Sequence, residues 1–225
     1  MTTQPLKSFK DHIQTIAAAH GRNTDDIRLL AVSKGQSAQS IRNLYAQGQR
    51  AFGENYVEEL LKKAAELSDL PDLLWVFIGQ LQSNKIQRLL AVVSEIQTVT
   101  SLKHLRYIDR YAAELGKAQF PVWLEVNVGG ESTKSGIPLD EVADLAQAAK
   151  TFSHLCLKGI MAIPPATFSD QTHQQPPELY QQLRRLANLV GEGQLSLGMS
   201  QDLSLAIAAG SNCLRIGRAL MGERA

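Results

Sequence analysis

Cysteine is scarce in this chain of 225 residues, which contains only Cys156 and Cys213. The two lie far apart, outside any Cys-x-x-Cys pair, and neither is grouped with histidines as a structural zinc site requires. The five histidines are scattered, which favours surface or packing roles over metal ligation. We therefore expect no metal centre, and we expect a reducing, cytoplasmic compartment.

An excess of charge of one sign is also missing. Lys and Arg number 23 and Asp and Glu number 22, which leaves a formal charge of +1 and no block of like charges. This balance argues against a nucleic-acid tract and against a membrane-surface patch. No apolar run reaches membrane-spanning length, and the first residues lack the apolar region of a signal peptide. The expected partner is a small molecule.

With 44% hydrophobic residues, a chain of this length can bury one large core, so we expect a single domain over residues 1–225. Apolar runs rich in β-branched residues alternate with stretches in which apolar residues recur every three or four positions. The predicted strands are 29–34, 50–53, 74–79, 95–99, 121–127, 157–161, 195–198 and 213–217. The predicted helices are 6–20, 38–47, 54–67, 83–92, 102–115, 139–150, 178–190 and 203–209.

Eight strands that alternate with helices favour a parallel sheet closed on itself over an open doubly wound sheet. The predicted fold is an α/β protein, a (β/α)8 TIM barrel with one extra helix at its amino end. In such a barrel the functional residues gather where the strands end at their carboxyl side. The Pro-, Gln-, Ser- and Thr-rich segment 164–177 is long enough for a mobile flap or a neutral insertion, and an insertion is favoured.

The first predicted strand is an apolar run that ends in Lys34 and Gly35. A lysine at the end of a buried strand loses hydration, so its pKa falls and its amine becomes nucleophilic. Such an amine forms a Schiff base with a carbonyl compound, and the candidates are a sugar, a keto acid and pyridoxal 5′-phosphate (PLP). The alternative is a side chain that extends into solvent without a chemical role.

The loops after the last two strands of a barrel commonly bind phosphate, because backbone N–H groups converge there. Ser200 and Gly217 occupy such loops, and the alternative for Ser200 is a helix N-cap. Arg215, between apolar neighbours in the last strand, needs either an acceptor such as a pyridine nitrogen or an acidic partner from a neighbouring strand. In the polar loop 129–136, Lys134 is a candidate partner for Glu131 or for an anion, but a solvated loop is favoured. A nucleophilic lysine and a phosphate site on one rim suit PLP best.

Several motifs, in order along residues 28–222, resemble the pyridoxal phosphate homeostasis proteins (the YggS/PROSC family). These motifs are AVSK at 31–34, FGENY at 52–56, FIGQLQSNK at 77–85, GIMAIPP at 159–165, LGMSQD at 197–202 and GSNCLRIG at 210–217. The resemblance implies a single-domain barrel of PLP fold-type III, like the N-terminal domain of alanine racemase. It also implies a protein of vitamin B6 balance that holds PLP as an internal aldimine and has no established catalytic reaction.

On the matching positions, the resemblance assigns each residue a role in cofactor binding. Lys34 carries the cofactor, Asn55 and Met161 line the ring, and Arg215 faces the pyridine nitrogen. The phosphate is surrounded by Ser200, Gly217 and either the side chain or the backbone amide of Arg218. The chain departs from the family pattern at Gly35 and Val76, where threonine and histidine are common. It also departs at Asn212, which stands beside the expected phosphate site where threonine is common.

Three functions remain open: a non-catalytic PLP carrier, a PLP-dependent amino-acid racemase, and a Schiff-base aldolase without a cofactor. An arginine at the pyridine nitrogen weakens the ring as an electron sink. Racemases with this arrangement also need a second base from another domain, and only Ala219 to Ala225 follow the last strand. We therefore expect a cytoplasmic, monomeric carrier that supplies PLP-dependent apo-enzymes and binds neither nucleic acid nor membranes.

Overall fold

The computed structural model describes residues 6–129 and 135–222. Its strands are β1 (Arg28–Val32), β2 (Ala51–Glu54), β3 (Leu74–Phe77), β4 (Glu95–Val99), β5 (Phe120–Asn127), β6 (Ile137–Pro138), β7 (Leu155–Ala162), β8 (Gln194–Ser196) and β9 (Cys213–Ile216). Its α-helices are α1 (Leu6–Ala19), α2 (Ala38–Ala46), α3 (Val57–Glu66), α4 (Ile86–Leu90), α5 (Leu102–Glu114), α6 (Val142–Ala149), α7 (Glu178–Ala187), α8 (Leu203–Ala208) and α9 (Arg218–Met221). The predicted role of Lys134 and Glu131 lies outside the described residues.

Eight of the strands close into one barrel. They pair in parallel in the order β4-β3-β2-β1-β9-β8-β7-β5, and the pairing of β4 with β5 completes the ring. The two-residue β6 pairs with the carboxyl end of β5, where Ile137 lies opposite Val126. The predicted (β/α)8 barrel is confirmed, and α1 is the predicted extra helix.

Burial on both faces explains the continuous apolar character of the strands. In β1, Leu30 packs with Val76 and Trp123 in a small apolar cluster inside the barrel. The next residue, Ala31, belongs to the large apolar cluster between the strands and the helices. The helices contribute one apolar face each, as in α1, whose buried residues are Leu6, Phe9, Ile13 and Ala17.

Several element boundaries differ from those predicted. The helix expected from residue 54 begins at Val57, because Glu54 is the last residue of β2 and pairs with Phe77. The helix expected from residue 139 begins at Val142, after β6, which was not predicted. The helix expected over 83–92 is a 3-10 turn followed by the short α4. After the last strand, the expected tail opens with α9, and residues 223–225 lie outside the described ranges.

The segment 164–177 contains neither helix nor strand, yet it is attached to the barrel. The Asp170 carboxylate accepts hydrogen bonds from the backbone N–H groups of Ser204 and Leu205 at 2.9 and 3.0 Å, which caps α8. Phe168 packs edge-on against Tyr180, with ring centroids 5.9 Å apart. The segment therefore caps α8, a role that neither of the two predictions, a mobile flap or a neutral insertion, included.

Within the described ranges, no helix is both long and apolar enough to cross a membrane. The same residues contain no group of three His, Cys, Asp or Glu side chains placed to hold a metal ion. Both cysteines are free thiols.

Candidate functional site

The seven residues predicted to bind the cofactor lie at one end of the barrel, because parallel strands bring their carboxyl ends to a common rim. Five strands that are neighbours in the ring, in the order β2-β1-β9-β8-β7, carry them. The residues are Lys34 and Asn55 after β1 and β2, Met161 near the end of β7, Ser200 after β8, and Arg215, Gly217 and Arg218 in or directly after β9. The fold brings all seven to one side of the rim, and their roles stay a prediction.

Lys34 is half-buried in a tight turn that follows β1. The turn is tied to β2 by the backbone N–H of Ser33, which donates to the carbonyl of Gly53 at 2.9 Å. Gly35 has a φ of +70°, a conformation that glycine adopts at no steric cost. Because β1 also pairs with β9, this turn lies beside the segment that begins at Gly217.

A group of charged side chains behind this turn was not predicted. We call Glu54, Glu59 and Lys63 the charged triad. The Lys63 ammonium donates to Glu54 Oε1 at 2.7 Å and to Glu59 Oε1 at 2.6 Å. Glu54 is fully buried, and this desolvation raises the pKa of its carboxyl group, while hydrogen bonds from Lys63 and Ser33 oppose the shift.

The spacing of apolar positions along the helix is the sequence signal that would have identified Lys63 as an inward-facing residue. On α3, the buried positions Val57, Leu60 and Lys63 recur every three residues, so the lysine lies on the apolar face of the helix. Its neighbour Lys62 lies on the outer face, with a side chain 78% exposed.

Arg215 is buried inside the barrel, and both terminal nitrogens of its guanidinium donate to neutral acceptors. Nη1 donates to Ser196 Oγ at 2.7 Å, and Nη2 donates to the carbonyl of Ala162 at 2.8 Å. Burial lowers the pKa of Arg215, and the nearby charges of Asp202 and Glu125 act in the opposite direction.

The predicted alternative for Arg215 was an acidic partner from a neighbouring strand. Within the described part of the chain, no carboxylate lies at ion-pair distance from Arg215. Glu125, on β5, instead accepts a hydrogen bond from Ser135 Oγ at 2.8 Å, and its burial raises the pKa of its carboxyl group. The guanidinium is therefore held by a hydroxyl and a carbonyl, with the two acids acting at longer range.

A chain of polar side chains continues from Arg215 through the barrel interior. Ser196 Oγ donates to Gln97 Oε1 at 2.8 Å, and Gln97 Nε2 donates to Glu95 Oε1 at 2.7 Å. Glu95 accepts two hydrogen bonds from Arg28, at 2.6 and 2.7 Å. Because Glu95 and Gln97 are two residues apart on β4, they share its inner face. The chain thus links the amino end of the barrel to the arginine near its carboxyl rim.

Asn55 is positioned by the loop after β3. Its side-chain Nδ2 lies 3.5 Å from the carbonyl of Ile78, at the limit of a hydrogen bond. A Cβ atom on Gly79 would lie 1.8 Å from the Asn55 carbonyl oxygen, so this close approach requires glycine. The Asn55 Oδ1 atom is buried and has no hydrogen-bond partner among the described residues. A buried acceptor without a donor suits a ligand that supplies one.

Ser200 and Arg218 are exposed at the rim. Ser200 is not the N-cap of a helix, which corrects the predicted alternative, because Asp202 occupies the capping position of α8. Asp202 is buried, accepts from the Met199 N–H at 2.7 Å and accepts from the Tyr180 hydroxyl at 2.6 Å. These bonds fix the loop that carries Ser200.

Gly217 leaves open space at the rim. A Cβ atom built there would meet only Val32 among the described residues, at 3.5 and 3.6 Å, which are ordinary contact distances. Local packing therefore does not demand glycine at this position, and the space is available to a ligand.

Asn212 lies away from this space, which corrects the predicted placement beside the phosphate site. It precedes β9, so it belongs to the amino end of the barrel, and its side-chain oxygen accepts from the Leu195 N–H at 3.1 Å. Asn212, Arg28, Glu95 and Cys213 line a cavity of about 400 Å³ at that end.

Comparison with known proteins identifies the family. The alanine racemase N-terminal domain family matches residues 5–225. The pyridoxal phosphate homeostasis protein of Pseudomonas aeruginosa is 41% identical over 214 residues, which are 94% of this chain and 91% of the relative.

Solved structures agree with this match. PipY of Synechococcus elongatus, solved with PLP bound, superposes with a TM-score of 0.78 at 33% identity and covers 93% of this chain and 99% of its own. Alanine racemase from Corynebacterium glutamicum shares the fold, with a TM-score of 0.67 at 14% identity, and this chain covers 60% of it. The barrel, the rim motifs and these matches together establish that the chain belongs to the pyridoxal phosphate homeostasis proteins, within the alanine racemase N-terminal domain family.

Proposed function

We propose that this protein binds PLP at the carboxyl rim of its barrel and maintains the PLP pool, without turning over a substrate of its own. The observation that carries the proposal is the position of Lys34. It lies beside the open space at Gly217, in a chain similar along 93% of its length to a protein solved with PLP bound.

The residues at the rim fit such a cofactor. PLP, when bound, supplies an aldehyde that condenses reversibly with a primary amine and releases one water molecule. Lys34 offers the amine, and the unpaired Asn55 Oδ1 offers an acceptor at the edge of the site. Met161, buried in β7, offers an apolar surface for the ring.

The phosphate and the ring nitrogen of PLP would be held by the other predicted residues. Ser200, Gly217 and Arg218 offer a hydroxyl, an open backbone and a positive charge at the ends of β8 and β9. Arg215 would act as a hydrogen-bond donor to the ring nitrogen.

A role without catalysis is part of the proposal. Arginine does not transfer its proton readily, so a ring nitrogen facing Arg215 stays unprotonated and stabilises a carbanion poorly. The Pseudomonas relative, which carries the name of a homeostasis protein, is matched over 91% of its own length, whereas alanine racemase extends well beyond the matched part. We further propose that the protein is a single-domain monomer of the cytoplasm, where its free thiols stay reduced, and that it passes PLP to apo-enzymes.

The test is covalent capture of PLP. The protein incubated with PLP should absorb visible light, and borohydride reduction should fix the cofactor on the peptide that contains Lys34, as read by mass spectrometry. Lys34→Ala should abolish this adduct, and Lys62→Ala should retain it. A colourless wild-type protein with no adduct on Lys34 would reject the proposal.

Two other outcomes correspond to the alternative functions. Adducts of sugar phosphates on Lys34 in the absence of PLP would indicate an aldolase. Incorporation of solvent deuterium at the α-carbon of an amino acid would indicate a racemase, and we expect none.

A further inference from the structure

The charged triad contacts the two residues that flank Lys34. The Lys63 ammonium donates to the backbone carbonyl of Ser33 at 2.7 Å, and the Ser33 hydroxyl donates to Glu54 Oε1 at 2.7 Å. On the other side, the backbone N–H of Gly35 donates to Glu59 Oε1 at 2.6 Å. Each peptide neighbour of Lys34 is thus held by a charged side chain.

These hydrogen bonds are of the strong kind, because one partner in each carries a charge. The bonds that Lys63 and Glu54 make to Ser33 are also shielded from water, since the side chain of Lys63 is 7% exposed and that of Glu54 is 0% exposed, whereas the side chain of Glu59 is 26% exposed. A turn held by several short, charge-assisted bonds has little freedom to rotate. The side chain of Lys34 therefore leaves the backbone in a fixed direction.

A contribution to the stability of the fold does not by itself explain why the charged triad is present. Burying the ionisable side chains of Glu54 and Lys63 costs desolvation energy, and well-packed apolar residues often stabilise a fold as well or better. The triad is moreover incompletely satisfied, because Glu54 Oε2 is buried without a hydrogen-bond partner among the described residues. A group that is costly for folding, placed directly behind the predicted nucleophile, suggests a functional role.

We propose that Glu54, Glu59 and Lys63 are positioning residues that hold the turn around Lys34, so that its amine meets the aldehyde of PLP. This inference rests on the proposed function. It adds that the rate of covalent capture depends on side chains that do not contact the cofactor. A misplacement of the amine by about 1 Å is expected to slow the capture by about tenfold or more.

The lysines of α3 provide the first test and its matched control. Lys63→Met removes the ammonium and keeps most of the side-chain volume, whereas Lys62→Met removes an exposed ammonium whose nearest carboxylate is 3.9 Å away. Capture of PLP by the apo-protein is followed by stopped-flow absorbance, and the fraction fixed on Lys34 by borohydride is measured by mass spectrometry. Lys63→Met should capture PLP about tenfold more slowly than Lys62→Met, which should match the wild type.

A second pair of variants separates positioning from folding. Glu59→Gln keeps an oxygen that accepts from Gly35 N–H, so it should capture PLP at close to the wild-type rate. Glu59→Leu keeps a similar volume without an acceptor and should be slow. Urea titration of each variant establishes that capture is measured on folded protein, and this pair decides the question if Lys63→Met does not fold.

The outcomes are distinguishable. Equal capture rates for Lys63→Met and Lys62→Met, or for Glu59→Leu and Glu59→Gln, would overturn the positioning role while leaving the proposed function intact. If wild-type protein forms no adduct on Lys34, the proposed function itself fails, and the positioning role fails with it.

Discussion

Replacement of Ser196 by alanine tests whether the polar chain inside the barrel holds Arg215. The Ser196 hydroxyl accepts from Arg215 at 2.7 Å and donates to Gln97 at 2.8 Å, and all three side chains are buried. A hydrogen bond from a charged donor contributes about 1.5 to 3 kcal/mol, and a buried acceptor left unpaired costs about 1 to 3 kcal/mol. We expect the free energy of unfolding to fall by about 3 kcal/mol. The midpoint of thermal unfolding should fall by about 2 to 4 °C for each kcal/mol in a chain of this length.

The assay is urea unfolding followed by tryptophan fluorescence. Trp75 and Trp123 are both buried, so their emission changes when the barrel opens. The control is Ser153→Ala, which removes an exposed hydroxyl bonded only to His154 among the described contacts of its side chain. Under the proposed function, the absorption maximum of bound PLP should also shift, because the guanidinium proposed to face the ring loses a hydrogen-bond partner. Equal unfolding midpoints for Ser196→Ala and Ser153→Ala would refute the reasoning.

Three further predictions concern other parts of the fold. Asp170→Ala should lower the free energy of unfolding by about 1 kcal/mol and speed hydrogen exchange at the first amides of α8, whereas Asp140→Ala should change neither. Tyr180→Phe should cost about 1 to 3 kcal/mol in a urea titration, because a buried carboxylate loses its hydroxyl donor. Lys158 lowers the pKa of Glu192 below 4.5 through a hydrogen bond, so this pair stabilises the fold at neutral pH and ceases to do so as the pH falls through the lowered pKa. Lys158→Met should therefore cost less than about 1 kcal/mol at pH 7 and nothing in strong acid.

The sequence carried enough information to predict the barrel and the position of Lys34. Most strands contain an apolar run bounded by polar or glycine residues, and their alternation with amphipathic helices is compatible with few fold topologies. The end of such a run is visible without coordinates, which is why Lys34, Asn55 and Gly217 were correctly placed at the carboxyl rim. Errors in the boundaries of single elements did not affect this result.

The contacts of polar side chains were harder to predict. Glu54 was assigned to a helix, although it ends β2, and Lys63 was given no role within the helix predicted over residues 54–67. Which of two adjacent lysines faces inward depends on the exact phase of α3. The partners of Arg215 come from β7 and β8, so they emerge only when the strands are in register. The pattern of residues along a short stretch of sequence does not show how neighbouring strands are aligned.

The pairing of the first strand with the last has a consequence for synthesis of the protein on the ribosome. β1 lies between β2 and β9, and Leu30 of β1 is opposite Arg215 of β9. A nascent chain therefore exposes one edge of β1 until β9 has been translated, and long-range pairing of this kind folds slowly. Lys34 and the segment that begins at Gly217 therefore come together only after β9 has been made, and the proposed PLP site forms no earlier than this pairing.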